Sequence, residues 1–71
     1  MRNSGFEQLT PSDVSNQLDG IGLGSYAAEF VKNDIFGEIL PMLEEKHLRA
    51  MGMKTIGHRI AFLRFVKTLI S

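Results

Sequence analysis

The stretch KTIGHR, Lys54 to Arg59, gathers the side chains of greatest chemical reach in this 71-residue chain. It sets Lys54, His58 and Arg59 around Gly57, where a long apolar helix is expected to begin. A phosphate cradle, a catalytic corner and a docking end for carboxylates are the three chemistries such residues can perform. A phosphate loop of the Walker kind needs G-x-x-x-x-G-K-[ST] after a strand, and the chain has neither. Catalysis is not expected. His47 and His58 are the only histidines, there is no cysteine, and no serine stands at a recognisable spacing from either. The chain is also too short to enclose a cleft. His47 and Glu44 can share a helix face, but two ligands do not hold a metal, so no metal or cofactor is expected.

The docking end has a mechanism. A helix N-terminus carries unpaired N–H groups and a partial positive charge, both suited to carboxylates. Gly57 has no side chain to keep a partner's backbone away. Lys54 and His58 add charge, and Arg59 can grip a carboxylate with two parallel hydrogen bonds. The alternative is internal: Gly57 lets a neighbouring helix pack closely, and Arg59 covers the core with its stem.

The elements that must position this stretch are helices separated by glycine, with no convincing strand. Residues 1–8 read as a polar, mobile arm with Phe6 as an anchor. Thr10 and Pro11 are a helix start, a hydroxyl cap before proline at the first helical position, with Asp13 in the first turn. Val14, Leu18 and Ile21 form that helix's apolar stripe, and Gly20 and Gly22 stop it. A second helix spans about Ser25 to Lys32 with Tyr26, Ala27, Phe30 and Val31 apolar, broken at Asn33–Asp34. A short turn or helix follows around Gly37 to Leu40, before Pro41. Glu44 to Met51 reads as a fourth helix ended by Gly52 as left-handed cap. Thr55 caps a last helix reaching Ile70.

That last helix carries two apolar stripes. Ile56, Ile60, Leu63, Val66 and Ile70 form one, read as core. Phe62, Phe65 and Leu69 form a second, a candidate apolar patch either covered by the arm through Phe6 and Leu9 or facing a partner. The expected core is Val14, Leu18, Leu23, Phe30, Ile35, Leu40, Leu43, Leu48, Met53, Leu63 and Val66.

Composition sets the class. An apolar fraction of 44% and a charged fraction of 23% are those of one folded domain near the lower size limit for an unaided core. No apolar run approaches the ~20 residues that span a bilayer, and no signal peptide is present, so residence inside the cell is the expectation. The chain stops inside its last helical pattern, which suggests a module of a longer protein. Formal charge is zero overall but segregated. Residues 29–45 carry Lys32 against Glu29, Asp34, Glu38, Glu44 and Glu45, a net of −4. Residues 46–71 carry Lys46, Arg49, Lys54, Arg59, Arg64 and Lys67 with no acid, a net of +6. An acidic half and a basic half can attract one another between copies.

Read in order, LTPSDVSNQL, IGLGSYAAEF, NDIFGEILPML and HLRAMGMKTIGHR resemble a sterile alpha motif (SAM) domain over about Leu9 to Leu69. The match lies in the spacing of Asp13, Val14 and Leu18, of Gly22-Leu23-Gly24-x-Tyr26-x-x-x-Phe30, and of Leu48-x-x-Met51-Gly52-Met53 before Gly57-His58-Arg59. Leu9 and Gln17 depart from it, standing where the family often has tryptophan. The resemblance implies an all-α, compact five-helix bundle with a long C-terminal helix, a SAM domain over 9–71. It also implies a non-catalytic module that pairs head to tail with the same or another SAM domain, leaving self-association open. Carried onto this chain, the mid-loop face is Asp34, Glu38, Glu44 and Glu45. The end-helix face is Lys54, Thr55, Gly57, His58 and Arg59. Some SAM domains instead bind RNA stem-loops through this same helix end. Zero net charge, and an inter-helix loop Asp19–Gly24 with one acid and no base, argue against RNA here.

Overall fold

Thr10 starts the first helix as its neighbours require. Its Oγ1 accepts from the Asp13 N–H at 3.1 Å while its own N–H donates to Asp13 Oδ2 at 3.0 Å, a reciprocal cap on α1, Pro11–Gly20. The computed structural model describes residues 5–70. Beyond α1 it contains α2 (Ala27–Lys32), a 3-10 helix over Gly37–Met42, α3 (Glu45–Ala50) and α4 (Ile56–Ile70). These five helices are joined by short turns, with single 3-10 turns at Phe6–Gln8 and Gly24–Tyr26, and no strand occurs among the described residues.

One closing device ends the three short α-helices. After α1 the Leu23 N–H donates to the Leu18 carbonyl and the Gly22 N–H to that of Asp19. The same pair of bonds runs from Ile35 to Phe30 and Asp34 to Val31 after α2. It recurs from Met53 to Leu48 and Gly52 to Arg49 after α3. Each closure needs a left-handed residue at its bend. Gly22 and Gly52 supply it at φ 82° and 94°, whereas the third is Asp34 at φ 55°. The bend returns the chain inward, so each closure places a core side chain on both sides: Leu18 and Leu23, Phe30 and Ile35, Leu48 and Met53, all buried. Ile21, expected on the buried stripe of α1, is the residue before one bend and points outward.

Residues 1–4 of the expected arm lie outside the described residues. From Phe6 onward the chain is tied down: the Gly37 N–H donates to the Leu9 carbonyl at 2.9 Å, and Leu9 packs against the core. A Cβ added at Gly37 would stand 1.8 Å from the Phe6 carbonyl oxygen. Gly37→Ala should therefore expel the Phe6–Gln8 turn at a cost of about 1–3 kcal/mol. Urea unfolding measures this; a midpoint equal to wild type would mean that the turn is not seated there.

The last helix faces the bundle with the second stripe and, of the first, with Val66 alone. Phe62, Phe65 and Val66 are buried and Leu69 is half-buried, while Ile56, Ile60, Leu63 and Ile70 are exposed. The candidate patch of Phe62, Phe65 and Leu69 is thus core, and Leu63 is not. Burying the phenylalanine stripe removes the larger apolar rings from water. Phe62 lies 5.5 Å from Phe30 and 6.2 Å from Phe65 between ring centroids. Leu43, also expected inside, packs half-buried against the cluster. No helix among the described residues is long and apolar enough to cross a membrane.

Candidate functional site

Thr55 opens α4. Its Oγ1 accepts from the His58 N–H at 3.2 Å, and its carbonyl accepts from the Arg59 N–H at 3.2 Å. Helix geometry leaves the Ile56 and Gly57 N–H groups without an acceptor inside the helix. Lys54, Thr55, Gly57 and His58 are all exposed around them. His58 Nδ1 is hydrogen-bonded to the Tyr26 hydroxyl, and the two rings meet edge to face, which fixes the imidazole at the rim. A Cβ added at Gly57 would meet nothing within 4 Å. The fold therefore does not call for glycine here, and the reading in which Gly57 admits a neighbouring helix of this chain is set aside.

Arg59 behaves differently from the other four end-helix candidates. It is 7% exposed, and its guanidinium is spent inside the chain. Nη1 donates to the carbonyls of Met53 (3.2 Å) and Lys54 (3.0 Å), and Nη2 meets Glu45 Oε2 at 3.0 Å. The side chain clamps the α3–α4 connection, so the expected grip on a partner's carboxylate is an internal one. The residue's type signalled charge, and only its position on the buried side of α4 reveals the clamp.

The acids divide in the same way. Asp34 and Glu38 are exposed, at the α2 closure and in the first turn of the 3-10 helix. Glu44 is exposed at the start of α3, 3.9 Å from Lys46 Nζ. The Glu44 N–H donates to His47 Nδ1 at 2.9 Å, so that imidazole nitrogen is already engaged. Glu45 belongs to the Arg59 clamp, although its side chain remains 64% exposed. What sequence reasoning missed is that Glu45 and Arg59, assigned to opposite faces, meet each other. Their separation of fourteen positions gives no helical-period signal.

The described residues form a bundle of short helices with an exposed, basic start to α4 and a group of exposed acids. The model of the SAM domain (sterile alpha motif) family matches residues 7–69, and the chain belongs to that family. Over 61 residues it is 39% identical to the mitogen-activated protein kinase adapter protein MST50 of Pyricularia oryzae. That covers 86% of this chain and 12% of MST50. It is 34% identical over 61 residues to SH3 and multiple ankyrin repeat domains protein 2 of Rattus norvegicus, 86% of this chain and 4% of that protein. A probable serine/threonine-protein kinase of Dictyostelium discoideum is 35% identical over 57 residues, 80% of this chain and 7% of the kinase. The chain thus spans about an eighth or less of the length of these relatives.

Proposed function

We propose that this SAM domain is a non-catalytic association module that pairs head to tail with a second copy or with another SAM domain, within a larger signalling, scaffold or regulatory protein. Asp34, Glu38 and Glu44 form its acidic mid-loop face. Lys54, Thr55, Gly57 and His58, with the first N–H groups of α4, form the face that receives carboxylates.

The observation that carries this reading is Gly57. In a helix, glycine is less stable than alanine by about 0.5–1 kcal/mol, and nothing among the described residues requires it. Its open space suits the backbone or carboxylate of a partner approaching the helix start. Asp34 is a second residue at odds with the fold, holding a left-handed bend that the two sister closures give to glycine. Keeping a carboxylate there suits a mid-loop role. Gly57→Ala and Asp34→Gly should each raise stability by about 0.5–1 kcal/mol while weakening association. Urea unfolding and sedimentation separate the two effects. If both variants gain stability and associate unchanged, neither residue serves the interface.

Two complementary charge reversals test the pairing itself. Lys54→Glu disables one face and Glu38→Lys the other, each at about 1–3 kcal/mol of association. Neither alone should self-associate, yet an equimolar mixture retains one intact face of each kind and should form a one-to-one dimer. A wild-type chain that stays monomeric at high concentration assigns the faces to a different SAM domain, and the same variants then sort its binding by face. Loss of binding by neither variant would sink the head-to-tail reading.

A further inference from the structure

Among the described residues, Met42 and Ile56 are the most exposed of the large apolar side chains, at 67% each. Exposed apolar residues scattered singly need no explanation. These two stand one in each of the opposed charged faces. Met42 ends the 3-10 helix between Glu38 and Glu44, and Phe36, 43% exposed, stands between Asp34 and Glu38. Ile56 stands between Lys54 and Gly57 in the first turn of α4. It also walls a groove of about 290 Å³, lined besides by Leu48, Ile60 and Leu63 and by the paired Glu45 and Arg59. Asp34 and Glu38 on one face, and Lys54 on the other, take part in no ion pair among the described residues.

Resting on the head-to-tail reading, we propose that Met42 of one copy seats against Ile56 of the next, so that the partner at the start of α4 is the mid-loop of a second copy of this chain. Charge selects that occupant. Bringing Met42 to Ile56 carries the unpaired Asp34 and Glu38 toward the unpaired Lys54 and the first N–H groups of α4. Both halves of the contact, each with its charges and its apolar centre, lie on the same chain. The chain is therefore complementary to a copy of itself, through a heterologous contact. Exposed charge pairs alone are worth little and are screened by salt. An apolar pair at their centre, desolvated when the faces meet, supplies the larger share of such a contact. Methionine suits the part, because its unbranched side chain fills an irregular groove.

The mixed dimer of Lys54→Glu and Glu38→Lys copies isolates one such contact, the acidic face of the first against the basic face of the second. Met42→Gln added to the Lys54→Glu copy should weaken that dimer at least about tenfold in sedimentation, and so should Ile56→Gln added to the Glu38→Lys copy. Exchanged between the copies, each substitution lies on the unused face and should change nothing. Both working-face substitutions together should cost little more than one, because each removes the same contact. Both positions are exposed, so urea midpoints should stay at those of the parent copies, which separates lost binding from lost fold. A dimer indifferent to either working-face substitution, or weakened as much by the exchanged ones, overturns the Met42–Ile56 contact and leaves the head-to-tail reading standing. Absence of any dimer, with both copies folded, overturns pairing between copies and this inference with it.

Discussion

Replacing Arg59 by glutamate is expected to cost about 3–5 kcal/mol, most of the stability of a domain this small. The substitution removes the donors to the Met53 and Lys54 carbonyls and sets a buried carboxylate near Glu45. Two acceptors on the α3–α4 connection lose their partner, and two like charges then face each other in a partly desolvated site. Glu45→Gln should cost no more than about 1 kcal/mol, because its side chain is 64% exposed and both carbonyl bonds remain. Urea unfolding of the two variants checks the contrast. Similar small losses would show that the guanidinium is not structural. The practical consequence concerns interface mapping. A charge reversal at Arg59 that abolishes binding reports unfolding, so the proposed basic face is to be probed at Lys54 or His58.

The second large effect decides which face of α4 is inside. Phe62→Ala should destabilise by about 3–5 kcal/mol, since the ring is fully buried between Phe30 and Phe65 and its loss leaves a cavity. Leu63→Ala, one position along and 46% exposed, should change stability by less than about 1 kcal/mol. The two unfolding midpoints settle the matter. Equal losses at 62 and 63 would mean that the helix is rotated from the orientation described here.

The charge segregation has a more modest structural counterpart than the linear sequence suggests. Of the acids in 34–45, Glu45 is drawn into an internal pair with a base from the other set. The remaining three, Asp34, Glu38 and Glu44, stay exposed, as do Lys54 and His58 at the start of α4. Folding thus removes one acid and one base from the candidate faces and leaves the opposed signs in place.

Residues within about five positions of one another decided everything that was legible in advance. The Thr10–Pro11–Asp13 cap, the closures at Gly22 and Gly52, the break at Asn33–Asp34 and the Thr55 start are local hydrogen-bonding choices. Their order along the chain, with the apolar spacing between them, was enough to place the sequence in its family. The sequence by itself also determined that no cysteine or nucleophile–base spacing was present. Tertiary structure alone decided which of two adjacent apolar stripes on α4 is buried. Both have helical spacing and lie side by side on one cylinder, so periodicity cannot rank them; the direction in which α4 leaves α3 does. That direction is held by the Arg59 bonds to the Met53 and Lys54 carbonyls and by the Phe30–Phe62 contact, whose partners are 32 positions apart. The same non-local packing turned Arg59 from a candidate ligand grip into a clamp, seated Gly37 against the Phe6 carbonyl, and left Ile56, Ile60 and Leu63 facing outward.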